Sequence, residues 1–188
     1  MAKLAMLVIF VLILTAGCVE KIENAGSELG MDLKLCPEIA GDVTARAYFC
    51  PEDDCDKKLI AEIEGAQNYI HAAVYSFTLD EIGDALIAAR ERGVKVMVVF
   101  DEQQASQQWT EFTRLKEAGV DVRLDGNSKY MHNKIAVIDG DRIVTGSYNW
   151  TQNATSGNDE NLIILTSKAL AAQYDEEFWE IYLKGKTE

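Results

Sequence analysis

Residues 132 to 149 read H-N-K-I-A-V-I-D-G-D-R-I-V-T-G-S-Y-N, and their types suit attack on an anionic phosphorus centre. His132 supplies a nucleophile or base, Lys134 a cation two positions on, and Ser147 and Asn149 two neutral hydrogen-bonding groups. Ile135, Val137 and Ile138, then Ile143 and Val144, predict two strands joined at Asp139-Gly140-Asp141. Asp-Gly between apolar runs is a strong hairpin signal. Side chains alternate faces along a strand, which pairs His132 with Lys134 and Ser147 with Asn149. Convergence of these four on one phosphate is the expectation. A histidine titrating near ~6.5 keeps its neutral, nucleophilic form in mildly acidic to neutral surroundings. Asp139 sits at the turn, away from the His132 face, and reads as structural, while Gly146 permits close backbone approach. Asn149-Trp150-Thr151 and Asn153-Ala154-Thr155 are also glycosylation sequons. A glycan on Asn149 would block the site, so a binding role is preferred there.

The elements that must position these residues alternate along the chain. Val43–Phe49 predicts a strand, 57–67 a helix with Leu59, Ile60 and Ile63 on one side, and Tyr69–Phe77 a second strand. Thr78-x-x-Glu81 has the form of a capping box opening a helix that buries Ile82, Ala85, Leu86 and Ala89 and stops at Gly93. Val94–Phe100 is apolar enough for a strand covered on both faces. A helix at 106–118, strands at 120–124 and 162–166, and a last amphipathic helix at 169–183 complete an α/β sandwich. The last helix carries Leu170, Tyr174, Phe178, Ile181 and Tyr182. The other histidine, His71, stands in the second predicted strand among apolar residues and reads as a core histidine.

The spacing His132-x-Lys134, Asp139, Gly146-Ser147-x-Asn149 resembles the HKD motif of the phospholipase D superfamily. Glu160, in N-D-E-N-L-I-I-L, matches the downstream acid of that family. The similarity runs over about Val43 to Leu183 and is greatest to the small single-motif nuclease-like members. It implies an α-β-α sandwich around a central mixed sheet, with one half-site per chain. By the same resemblance His132 attacks phosphorus to form a phosphohistidine, and Glu160 orients its ring. Lys134, Ser147 and Asn149 then bind the phosphate. No cofactor or metal is called for. Because the sequence has no internal repeat, a complete site implies a homodimer that pairs two His132 residues across a two-fold axis.

The substrate is less sharply marked. Nucleic acid, DNA or RNA, is the first expectation, phospholipid the alternative, and a non-catalytic binding domain the second alternative. A groove lined by Lys129, Arg123 or Arg142 with Tyr148 and Trp150 would suit a single strand. With 18 basic against 31 acidic residues, a net charge of −13 argues against a broad electropositive surface.

The N-terminus reads as an export signal over residues 1–17, with Lys3 before the apolar run Leu4–Leu14 and Thr15-Ala16-Gly17-Cys18 after it. This ending is similar to a lipoprotein signal, which makes Cys18 a candidate lipidation site. Residues 18–41 follow as a tether and 42–188 as the catalytic domain, placing the protein outside the cytoplasm on a membrane anchor or secreted. Cys50 and Cys55 are close enough in sequence to pair in an oxidising compartment, and Cys36 is left over.

Overall fold

Lys95-Val-Met-Val-Val-Phe100 has no polar face to offer water, so both of its faces must be covered. A computed structural model describes residues 41–187 and shows how this is met. In this strand, β3 (Lys95–Phe100), Val96, Val98 and Phe100 enter one apolar cluster, and Met97 and Val99 the other. The other strands are β1 (Thr44–Cys50), β2 (Tyr69–Val74), β4 (Asp121–Leu124), β5 (Lys134–Ile138), β6 (Arg142–Gly146) and β7 (Glu160–Thr166). They form one mixed sheet in the order β1-β7-β6-β5-β2-β3-β4. β2, β3 and β4 are parallel, and the remaining neighbours are antiparallel.

One face of the sheet is covered by α1 (Cys55–Glu64) and α2 (Asp80–Glu91), with two short helices beyond, α3 (Glu102–Ala105) and α4 (Phe112–Glu117). Leu59, Ile63, Ile82 and Leu86 are fully buried there. Each contributes about 1.5–3 kcal/mol of transfer free energy. After the short α5 (Gln152–Ser156), the long α6 (Lys168–Lys184) covers the opposite face through Ala171, Phe178 and Tyr182. The result is the expected α-β-α sandwich with a central mixed sheet.

Several local expectations are corrected. Thr78 and Glu81 form no capping box: α2 starts after Leu79, with no side-chain cap. The backbone amides of Thr78 and Leu79 instead both donate to the carbonyl of Trp150, at 2.9 and 3.1 Å. A tertiary tie thus displaces the local cap and also ends β2 at Val74. The helix expected at 106–118 is shortened to Phe112–Glu117, where the Glu111 amide is taken by the carbonyl of Phe77, and a separate turn of helix capped by Asp101 precedes it at Glu102–Ala105. Gly93, with φ of +94°, does follow the end of α2 in the left-handed region that favours glycine. Cys18, Cys36, the predicted signal and the predicted tether lie outside the described residues.

Candidate active site

The carboxyl ends of β2, β3 and β4 lie along one edge of the sheet with the start of β5, the end of β6 and the start of β7. The register shows this, pairing Val74 with both Phe100 and Lys134, Phe100 with Leu124, and Gly146 with Leu162. Crevices at the carboxyl ends of parallel strands are where ligands bind in open α/β sheets.

His132 stands on this edge in the segment leading into β5 and is exposed. Both of its neighbours are pinned. The Met131 amide donates to Oδ2 of Asp101 at 2.9 Å, and the Asn133 carbonyl accepts from the Tyr75 amide at 2.8 Å. Lys134, the first residue of β5, is buried. Its Nζ lies 3.2 Å from His132 Nδ1 and 2.8 Å from the His132 carbonyl oxygen. Strand alternation is therefore not what joins the pair, because His132 precedes the strand. Burial pulls the Lys134 ammonium below its usual pKa, opposed by the negative charges of Glu160 and Asp101. The Tyr75 ring forms a shelf beneath both, 4.3 Å from the His132 ring and 4.9 Å from Lys134 Nζ.

Ser147 and Asn149 follow β6 on the same edge. Ser147 Oγ donates to Glu160 Oε2 at 2.5 Å and accepts from the Asn161 amide at 3.0 Å. Glu160 Oε1 accepts from Asn158 at 3.0 Å. The carboxylate expected to hold the histidine thus holds Ser147, and among the described residues no hydrogen bond links Glu160 to His132. The side-chain oxygen of Asn149 is buried without a partner, leaving this amide uncommitted. Gly146 has φ of +142°, and a Cβ there would lie 2.2 Å from the Asn161 carbonyl oxygen. Only glycine lets these backbones meet.

Asp139 is at the far end of the hairpin. It accepts from the backbone amides of Gln67, Asn68 and Tyr69 and from Arg142. Although burial opposes it, these bonds hold its carboxyl below the usual range. His71 is buried and lies away from His132, with Nδ1 2.8 Å from Asp175 and its ring stacked on Phe178. A disulfide joins Cys50 to Cys55, tying the end of β1, where Cys50 faces Glu160 in register, to the start of α1.

The expected groove lining needs correction. Tyr148 and Trp150 are core residues, each 1 % exposed, because the segment after β6 folds back under Phe77. Arg142 is engaged with Glu62 and Asp139, and Arg123 lies against the ring of Tyr182. Lys129 alone of these is exposed on the loop leading to His132. The aromatic lining the cleft is Tyr130, which meets the Tyr75 ring edge-on; Trp109, on the connection after β3, is 79 % exposed. A cleft of about 530 Å³ opens beside His132, lined in part by Asp125, Tyr130, Asn133, Glu177 and Lys184. Among the described residues no cluster of three or more His, Cys, Asp or Glu side chains is placed to hold a metal.

Tyr75 and Asp101 were missed by motif reasoning. The signal that would have found them is positional, since each directly follows a parallel strand, β2 or β3, at its carboxyl end.

A family model described as cardiolipin synthase, PLD-like domain, matches residues 59–182, spanning the whole of this edge. The chain belongs to the phospholipase D superfamily. Its curated relatives within the superfamily include a mitochondrial cardiolipin hydrolase of Xenopus laevis, 35% identical over 139 residues, or 71% of this chain and 66% of the relative. A phospholipase D of Rickettsia prowazekii is 35% identical over 126 residues, or 67% of this chain and 62% of the relative. Across the first of these relatives the chain spans between about half and two thirds of their length. Among solved structures, the phospholipase D family member Nuc from Salmonella typhimurium superposes with a TM-score of 0.74 at 28% identity. That match covers 77% of this chain and 97% of Nuc. NucT from Helicobacter pylori shares the fold at a TM-score of 0.71 and 24% identity, over 77% of this chain and 98% of its own.

Proposed function

We propose that this chain is a metal-independent phosphodiesterase, active as a homodimer and cleaving nucleic acid. The observation that carries it is the Lys134–His132 contact on an open cleft, with the uncommitted amide of Asn149 on the same edge. In the first step Nε2 of His132 attacks phosphorus and a P–N bond forms as the P–O bond to the leaving group breaks. The leaving oxygen takes a proton from an acid. Water then attacks the phosphohistidine, giving up its proton to the same group, and the P–N bond breaks. Lys134 and Asn149 hold the phosphoryl oxygens as charge builds on them, and Ser147 supports the same pocket.

One chain does not hold every part. Attack through Nε2 requires a proton on Nδ1, yet here Nδ1 faces the Lys134 ammonium and Glu160 is occupied by Ser147. Nor does a second histidine approach, since His71 is committed to Asp175. A second copy across a two-fold axis brings a second His132 as the acid. The protein is read as exported and held at a membrane through Cys18.

Nucleic acid is favoured by the exposed Tyr130 at the cleft, where a base can stack, by a second exposed aromatic, Trp109, on the connection after β3, and by the coverage of nearly all of Nuc. The names of the cardiolipin hydrolase and phospholipase D relatives favour phospholipid as the second reading. The deciding experiment offers single-stranded DNA, RNA, duplex DNA and a phosphatidyl lipid to the protein in excess EDTA, with His132→Asn alongside. Nucleic-acid cleavage that persists in EDTA and vanishes in the variant is expected. Lipid turnover alone would replace the substrate, and no turnover by a folded dimer would refute the enzyme.

A further inference from the structure

Asp101 belongs to none of the motif positions, yet it is fully buried directly behind His132. It follows β3, and its two oxygens do different work. Oδ1 caps α3, accepting from the Gln103 and Gln104 amides at 3.1 and 3.0 Å. Oδ2 reaches the loop from β4 to β5 and accepts from the Met131 amide at 2.9 Å. With the Tyr75–Asn133 bond, this fixes the backbone on either side of His132. A neighbouring buried acid, Asp125, provides a contrast. It accepts from the Glu102 and Asn127 amides, both at 2.8 Å, and so braces the same loop at its far end without touching residue 131.

We propose that Asp101 is a positioning residue of this active site: its two buried oxygens clamp the start of α3 to the backbone that carries His132. The proposal rests on the phosphodiesterase reading. The groups acting on Lys134 are Asp101 after β3, Glu160 at the start of β7, His132 on its own segment and the ring of Tyr75 after β2. Of the two carboxylates, Glu160 is the larger influence and is half-buried, while Asp101 is fully buried. Asparagine cannot replace Asp101, because it has one acceptor oxygen. If that oxygen keeps the α3 cap, its NH₂ faces the Met131 amide, donor against donor.

The test compares Asp101→Asn, Asp101→Glu and Asp125→Asn in the full chain, with three readouts. These are kcat and KM against pH on a single-stranded DNA oligonucleotide, the NMR titration of the Lys134 side chain, and the shift of the Met131 amide. Asp101→Asn is expected to lower kcat on the order of a hundredfold, as misplaced reacting groups do, with KM nearly unchanged. It also moves the alkaline limb and the Lys134 titration to lower pH, because the ammonium has lost a stabilising charge. Asp101→Glu keeps the charge, so it loses kcat while the limb stays in place, and it serves if the asparagine variant does not fold. Asp125→Asn loses stability but leaves the Lys134 titration where it was. Equal Lys134 titrations in Asp101→Asn and the unaltered protein, with kcat intact, would overturn the assignment. If the unaltered protein cleaves nothing, the phosphodiesterase reading fails, while the Lys134 titration and the Met131 amide still decide whether Asp101 plays this part.

Discussion

The ammonium of Lys134 is buried against the histidine it serves, 3.2 Å from His132 Nδ1 and 2.8 Å from the carbonyl oxygen of the same residue. One ammonium already serves two acceptors at this end of the strand, and a phosphoryl oxygen would be its third. Lys134→Met is therefore expected to cut kcat by roughly 10²–10³-fold, the usual loss for one transition-state donor, while leaving stability equal or higher. The sign follows from burial. A lysine with its pKa lowered in the fold binds fewer protons there than in the unfolded chain between the two values. Stability of the unaltered protein then rises with pH across that window, and Lys134→Met loses this rise. Thermal unfolding from neutral to alkaline pH, with turnover in parallel, checks both halves. A variant with lower Tm and full activity would contradict them.

Asp139 answers three backbone amides and one guanidinium at the opposite end of the hairpin. Asp139→Ala should cost stability, about 0.5–1.5 kcal/mol for each hydrogen bond lost because water can reach the freed donors, with kcat/KM of the folded fraction close to unaltered. The lowered pKa means that its contribution is present above the unfolded value and fades as pH falls through the folded one. Acid titrations of Tm should show this loss in the unaltered protein and not in the variant.

Ser147 and Glu160 share one 2.5 Å hydrogen bond. If the carboxylate acts by holding the hydroxyl, Ser147→Ala and Glu160→Gln should lose similar activity, and the double variant should lose no more than either. Additive losses in this cycle would mean that Glu160 acts on something other than Ser147.

Dimerisation makes a quantitative claim. If turnover needs two His132 residues, unfolding and refolding mixtures with His132→Asn should give activity falling as the square of the unaltered fraction. A linear fall would show that each chain works alone.

Trp109 and Tyr130 should matter more to binding than basic residues do. Alanine at either is expected to weaken a single-stranded oligonucleotide by about 1–3 kcal/mol per stacked base. With a net charge of −13, the slope of log affinity against log salt should be shallow. A steep slope would contradict this and mean that several basic side chains neutralise phosphates.

The sandwich could be read from the sequence because β3 and its neighbours have apolar runs of strand length, and α6 carries its stripe at helical spacing. His132, Lys134, Ser147 and Asn149 could be read because the motif is local, and the structure brings all four to one edge. What escaped was decided between distant segments. Tyr148 and Trp150, offered as the aromatics of a groove that would suit a single strand, are drawn inward by the pairing of Phe77 with Trp150. The bond from Ser147 to Glu160 carried no sequence signal, because it runs across the β6–β7 ladder between residues thirteen apart. Asp101 was invisible because a lone acid after a strand carries no pattern until its partner at 131 is known.

The sheet does not end symmetrically. At one side β4 is short and the backbone of Leu124 is met by Lys186, whereas at the other β1 runs seven residues and, among the described residues, pairs on its β7 side alone. Open edges invite the same strand of another molecule, and such growth does not close. In Thr44-Ala-Arg-Ala-Tyr-Phe-Cys50 a single charge, Arg46, held by Glu62, interrupts an otherwise uncharged segment, and Pro51 stops its extension. A charge in such a segment disfavours edge-to-edge pairing, so Arg46→Val is expected to lower solubility at high protein concentration before it changes turnover, which light scattering checks.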